Sequence, residues 1–430
     1  MIYFFDQLQL SFLKHTDSKM EIKLFNVPVV FLLVMFHKGF DFGMMMPTIM
    51  SRYFEITKSK NTAAFYFGLN TGTFALVQMI SSAVIGPIYD KTKKLKPLCN
   101  AIVVVTLIAY IIYAFATTAT VAIIAQSISG IFASLTVIVY AEMSTDSSKL
   151  TKFLSVGQCF DAVGTIIATV INSWALPDVS IYLGTYHITP ATIAPWVCAI
   201  FTLALFIIIQ VTVKNNTTQD GHDNQASKFQ LKMVTCLIND YFFWLVLINQ
   251  FIINIVISAF HIFTQTTFLE CFNCPTKCGS MTILGSLVLR LIILVIIPYV
   301  VTHISENFLL AFIALAQVWL MMAVSLSTAS AGQTSCYFVV AAGAYSYSIL
   351  WSSMNLLVPA IVGKHLPEEL KATGQGISQV VYALASVISH PIAGAAFIYL
   401  GPACMTLSAA VLLGIILWNL YWQRQKVCTS

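Results

Sequence analysis

Uninterrupted apolar stretches long enough to cross a bilayer recur from near one end of this chain to the other. A helix needs about 20 such residues to span the hydrocarbon core, and that single property leaves few folds open. In lipid, every backbone amide must be satisfied within its own helix or within a closed barrel. A barrel would show segments of about ten residues with alternating polarity, and none occurs here. The chain is 58% hydrophobic and 9% charged, whereas soluble domains carry about 25% charged residues. An all-α polytopic membrane protein is therefore expected, with the lipid bilayer as its first partner. The formal charge of +5 sits in short clusters between apolar stretches. That is how cytoplasmic loops read, so it gives no sign of nucleic-acid binding.

The spans are expected near 25–50, 62–87, 97–117, 119–141, 153–176 and 189–213, then 234–260, 281–302, 307–328, 335–360, 372–395 and 400–422. The longest polar stretch between them, 214–232, divides the chain into two sets of six. Segment 1–24 reads as a cytoplasmic N-terminal tail, because no small-residue cleavage site follows its apolar start. Segments 25–213 and 234–422 read as two six-helix bundles, 214–233 as a cytoplasmic central loop and 423–430 as a C-terminal tail. Two parallel halves joined in this way are a known transporter architecture.

The basic residues test the topology. With the N-terminus in the cytoplasm, the tails and even-numbered loops hold sixteen of the 22 Lys and Arg, the odd-numbered loops hold four, and Lys38 and Arg290 lie inside spans. A missed or invented helix would scramble that alternation. Both termini are expected in the cytoplasm. Asn215 and Asn216 each begin a glycosylation sequon, and on this topology neither is glycosylated.

After the second span comes Gly86-Pro87-Ile88-Tyr89-Asp90-Lys91-Thr92-Lys93-Lys94. Gly86 permits close helix approach. Asp90 can cap or pair at a helix end, and Lys91, Lys93 and Lys94 can face anionic headgroups. The run resembles the signature loop between helices two and three of the major facilitator superfamily. That resemblance implies about twelve transmembrane helices in two six-helix halves, moving a small solute or inorganic anion by alternating access without a cofactor.

Three further stretches, 65–94, 145–164 and 186–195, are similar to the branch that includes major facilitator domain-containing protein eight, a lysosomal protein linked to ceroid lipofuscinosis. Members of that branch are proposed to pass chloride out of endolysosomes. The resemblance thus implies an endolysosomal membrane, with the plasma membrane as the other location. It also admits a chloride-conducting channel on the same fold, and a receptor or scaffold that transports nothing. The chain departs from the superfamily pattern in three places. Gln126 replaces the usual helix-four Arg. Gly164-Thr165-Ile166-Ile167 stands where antiporters carry Gly-Pro. His303-Ile304-Ser305-Glu306 lacks the basic cluster of a second signature loop.

Ionisable residues deep in a span cost about 2.5–3.5 kcal/mol each on insertion scales, so each needs a reason. The first span has His37, Lys38 and Asp41, expected on one face as a substrate or proton site, or as a Lys–Asp pair that only packs. The fifth has Asp161 and the eighth Arg290. At about 1.5 Å per residue their depths differ by roughly 6 Å, so they are expected to pair across the halves or to compete for a permeating anion. The alternative is a static salt bridge. The seventh span carries a polar stripe, Gln250, Asn254, Ser258 and His261, expected to line water. Tyr345, Tyr347, Trp351 and Asn355 mark the tenth. Gln375, Gln379, Tyr382, Ser386 and His390 mark the eleventh, where lining and helix–helix bonding are both open.

The loop after the seventh span contains Cys271, Cys274 and Cys278. On the lumenal or outer side thiols oxidise, so a disulfide is expected. A metal site is not, since no fourth ligand is evident. No Walker loop, Rossmann glycine pattern or nucleophile elbow occurs, which disfavours a nucleotide-driven pump and an enzyme.

Overall fold

The computed structural model describes residues 18–144, 150–175, 181–183, 186–213, 240–271, 276–306, 308–310, 312–316 and 333–400. The helices are α1 (Ser18–Thr57), α2 (Lys60–Thr92), α3 (Leu95–Phe115), α4 (Ala119–Met143), α5 (Leu150–Val170), α6 (Pro190–Thr212), α7 (Tyr241–Cys271), α8 (Thr276–Val300), α9 (Gln333–His365) and α10 (Lys371–Leu400). In the sequence numbering of spans, α9 and α10 are the tenth and eleventh. Helical residues within 306–316 belong to the ninth. The twelfth span, the central loop with its two sequons, and both chain ends lie outside the described residues.

Six of these helices, α1 to α6, are long and apolar enough to cross a bilayer among the described residues. Their mean hydropathy separates two kinds. The α3 and α6 spans reach 2.3 and 2.4, whereas α1, α2 and α5 stay at 1.4–1.5. The difference is polar residues, some of which, such as Lys38, Asn70 and Asp161, face an internal cavity. Several helices run past the apolar windows read from the sequence; α1 begins at Ser18 and α2 ends at Thr92. The ladder of backbone hydrogen bonds continues past the last apolar residue as long as polar side chains can reach the interface.

Local chemistry sets the ends and the bends. Ser59 caps α2, accepting from the Thr62 amide at 3.4 Å. Lys93 ends that helix at φ 49°, in the left-handed region. Thr189 and Thr192 form a capping box that starts α6, with Pro190 in the first helical position. A short hairpin precedes it, β1 (Ile181–Leu183) pairing antiparallel with β2 (Tyr186–Ile188), Ile181 opposite Ile188. A 3-10 turn at Gly130–Phe132 interrupts α4. In α1, Pro47 cannot donate to the Gly43 carbonyl. Asn172, in the π-helical turn Ile171–Ala175 that ends α5, donates there instead at 3.0 Å, and to Met44 O at 2.7 Å.

The two halves meet on the signature-loop side. A Cβ on Gly86 would lie 2.5 Å from the Ala372 carbonyl oxygen, and one on Gly376 2.7 Å from that of Ser82, so α2 and α10 cross backbone to backbone. Ser155 Oγ of α5 donates to the Leu294 carbonyl of α8. One apolar core joins residues of both halves, including Leu135, Leu154, Phe243 and Leu357. A second lies wholly in the first half, around Phe40, Tyr53, Tyr110 and Cys198.

Candidate functional site

A cavity of about 200 Å³ opens between the halves. Its wall takes residues Lys38 to Ile49 of α1, Asn70 to Gln78 of α2 and Gln126 to Thr136 of α4. Asp161 and Thr165 come from α5, Asn254 and Ile257 from α7, Trp351 and Asn355 from α9, and Gln379 to Ser386 from α10. These positions are mid-helix or lie toward the ends remote from the signature loop. The cavity therefore extends from mid-membrane toward the side opposite the closed contact.

At its inner end sits a charged cluster. Asp161 is buried and accepts from Arg290 Nη2 of α8, across the halves. The same guanidinium donates to Gln158 Oε1 at 3.1 Å and stacks over Trp351, 4.1 Å from Cζ to the ring centroid. Gln158, one helical turn before Asp161, also donates to Tyr140 Oη at 2.9 Å and reaches the Asn355 carbonyl at 3.5 Å. That carbonyl lies four residues before Pro359 and so has lost its helical donor. Lys38 Nζ is 3.8 Å from the other Asp161 oxygen, and its side chain is 31% exposed, against 1% for Arg290. Arg290 thus lies behind the cavity wall and neutralises Asp161 at close range, while Lys38 projects into the open space.

The sequence expectation for α1 needs correction. Lys38 and Asp41 line the cavity, but His37 does not. It is 2% exposed, its Nε2 is 2.6 Å from Thr202 Oγ1 of α6, and its ring stacks on Phe132 at 4.6 Å. Adjacent helical residues are about 100° apart around the axis, so His37 and Lys38 lie at opposite edges of the face they share with Asp41, and only the Lys38 edge meets the cavity. Nor is Lys38 paired with Asp41, because Asp161 reaches it from α5. Asp41 Oδ1 is buried without a hydrogen-bond partner.

The polar stripes divide in the same way. Asn254 lines the cavity, but Gln250 accepts from Ser378 Oγ of α10 at 2.8 Å and holds two helices together. Gln379, Tyr382 and Ser386 line it, whereas Gln375 donates to the Pro359 carbonyl at 2.8 Å. Trp351 and Asn355 face the cavity, while Tyr345 packs its hydroxyl against Gly285 of α8. The side chains of Ser258, His261, Tyr347, His390, Cys271, Cys274 and Cys278 lie outside the described residues, so the expected disulfide does too. Cys99, Cys159 and Cys198 are free thiols.

The closed side is built around the signature loop. Asp90 accepts from the Thr373 amide and hydroxyl, both at 2.6 Å, and from the Ala372 amide at 3.3 Å, so it caps the start of α10. Lys93 Nζ lies 3.3 Å from Asp90, while Lys91 and Lys94 are exposed. Lys371 donates to the Ser144 carbonyl. A second contact lies around Glu306, between α5 and α9. Glu306, whose loop lacks the basic cluster in sequence, takes Thr151 Oγ1 of α5 and Lys364 Nζ of α9, each at 2.5 Å. Sequence reasoning missed Gln158 and Glu306 as contact residues. Gln158 lies one turn from Asp161, which was a usable signal. Glu306 had none beyond its place at a helix start.

Helices crossing through small residues, a charged cavity at mid-membrane and one closed face define an integral multi-pass membrane transporter of two-bundle type. The model of the Major Facilitator Superfamily matches residues 29–390. The chain belongs to that superfamily. A comparison with curated proteins gives no match. Among solved structures, the chain is similar to the human organic anion transporter MFSD10 (TETRAN), with TM-score 0.71 and 12% identity, covering 91% of this chain and 98% of that one. It is also similar to the proton:xylose symporter XylE bound to 6-bromo-6-deoxy-D-glucose, at TM-score 0.68 and 12% identity, covering 92% and 95%. The E. coli fucose:proton symporter FucP gives TM-score 0.66 and 16% identity over 94% and 98%.

Proposed function

We propose that this protein is a secondary transporter that carries a small organic anion by alternating access, with Lys38 receiving the anionic group. The observation behind this reading is the division of labour around Asp161. Arg290, itself held by Gln158, already neutralises that carboxylate at close range, so Lys38 is held only at 3.8 Å and faces open space. The cavity of about 200 Å³ exceeds by more than tenfold the roughly 10–15 Å³ that one water occupies on the same measure, which suits an organic body better than a lone halide. Trp351 and Phe42 offer it apolar faces, and Asn254, Asn355 and Gln379 offer amides. A mobile ligand charge set against a fixed cation would bias the rocking of the halves.

The described organic anion transport of the similar human protein agrees with this reading. On the positive-inside distribution we place the signature loop in the cytosol, so the cavity faces the lumen or exterior. The resemblance of residues 65–94, 145–164 and 186–195 to the endolysosomal branch favours an endolysosomal membrane.

Uptake of radiolabelled carboxylates into proteoliposomes tests this. Saturable uptake in the wild type, lost in Lys38→Gln, is the expected result. Chloride current far above carrier rates would replace the carrier reading with a pore. Uptake of xylose or fucose that is indifferent to Lys38→Gln would replace the anion with a neutral sugar. No flux of any of these from a folded protein would point to a receptor or scaffold.

A further inference from the structure

We propose that the anion this cavity accepts is an aromatic carboxylate, its ring held between Phe42 and Trp351 and its charge at Lys38. This rests on the anion reading of the same cavity and names the class of the organic body. Phe42 of α1 and Trp351 of α9 both line the space and belong to opposite halves. Their ring centroids are 6.2 Å apart and their planes lie 30° from parallel, so the two rings face one another as the walls of a slot. Phe42 stands four residues after Lys38. That spacing puts ring and ammonium on one face of α1, about 6 Å apart along its axis. A ring and a carboxylate joined by one or two carbons match it.

The indole is the fixed wall. Arg290, which does not line the cavity, stacks over it at 4.1 Å, and the Tyr382 hydroxyl lies beside it. A guanidinium against one face of a ring offsets the negative charge of its π electrons, so the ring of an anion meets less repulsion there. Phe42, at 39% exposed, is the movable wall. A third ring between the two needs about 7–8 Å, two layers at 3.5–4.0 Å each. A small turn of Phe42 supplies the difference. Volume sets the upper limit. A cavity of about 150 Å³ takes one benzene, so about 200 Å³ holds a single ring with a carboxylate and a short spacer. An aliphatic acid of the same length would fill the space but leave both ring faces without a stacking partner. Were the two rings only packing surface, a saturated ring would bind at least as well as a flat one, because it is the more apolar.

The test is equilibrium binding to the full-length protein in nanodiscs, comparing two radiolabelled aromatic acids, phenylacetate and 3-phenylpropionate, with their cyclohexyl counterparts. The wild type should bind each phenyl acid about two- to tenfold more tightly than its cyclohexyl counterpart, the range that ring–ring contacts add beyond area. Trp351→Leu and Phe42→Leu should each erase that preference, and Phe42→Tyr, which keeps the ring, should retain it. Cyclohexyl acids that bind as tightly as phenyl acids, or a preference that survives both Leu variants, would overturn the proposal and leave the anion reading standing. Absence of binding of all four acids to the folded protein would remove both. Should the Leu variants fail to fold, the wild-type ratio of phenyl to cyclohexyl affinity decides alone: a ratio above about two is expected, and a ratio of one or less overturns the idea.

Discussion

The main chain of α5 at Asp161 lies directly against the bare α-carbon of Gly39 in α1. A Cβ there would overlap the Asp161 carbonyl oxygen, and one on Gly43, a turn further on, would come within 2.7 Å of the Thr165 carbonyl. This contact lets Lys38 and Asp161 reach one another from separate helices. Gly39→Ala should therefore push α1 off α5, destabilise the protein by about 1–3 kcal/mol and weaken anion uptake. Gly72→Ala is the control, since nothing lies within 4 Å of its would-be Cβ. It should be neutral or slightly stabilising, because Ala is the better helix former by about 1 kcal/mol. Thermal unfolding in detergent reads both.

Removing one member of a buried pair differs from removing both. Arg290→Gln leaves Asp161 charged and buried, at a cost of about 3–5 kcal/mol, and hands that carboxylate to Lys38. Stability and uptake should both fall. The double variant Asp161→Asn with Arg290→Gln should regain most of the stability and, because it releases Lys38, much of the uptake as well. Recovery of stability without uptake would mean that Asp161 or Arg290 touches the anion itself.

The cap formed by Asp90 on α10 should hold the signature-loop side shut. Hydrogen bonds to a charged group are worth about 1.5–3 kcal/mol each, so Asp90→Asn should shift the population toward the state open on that side. Spin labels at Lys91 and Lys364, both exposed, should show a longer mean distance in the variant. An unchanged distribution would mean that the crossing of Gly86 and Gly376 closes this side unaided.

His365 Nε2 lies 2.6 Å from Asp240 at the start of α7. Burial works to raise the Asp240 pKa. The Phe243 amide and His365 outweigh it and hold the carboxyl below its usual range. A depressed carboxylate pKa stabilises the fold above its unfolded value, about 3.9, and that contribution disappears as pH falls through the lower folded value. The gap in melting temperature between wild type and Asp240→Asn should therefore be present at about pH 5 and close as pH falls below about 4. It should also be small, since partly exposed pairs contribute about 0–1 kcal/mol.

Some of this architecture was legible in the sequence because lipid imposes one-dimensional rules. Span length, the alternation of basic loops and the Gly86–Lys94 run pointed to the superfamily without any knowledge of packing. Depth along a helix is likewise a linear quantity, so counting residues placed Asp161 and Arg290 at similar levels. Rotation about the axis is not linear. It depends on which neighbours crowd the helix, and only the packed structure shows that His37 turns to Thr202, that Gln250 and Gln375 hold helices together, and that Arg290 sits behind the wall with Trp351 over it. Gln158 meets Arg290 and Glu306 meets Thr151 across more than a hundred residues of chain, a separation no local pattern encodes. The sequence by itself determined that this chain crosses the membrane and in which family it does so. The tertiary structure decided which of its costly intramembrane charges cancel one another and which remain free to meet a ligand, because that choice depends on distances of a few ångströms between helices far apart in the chain.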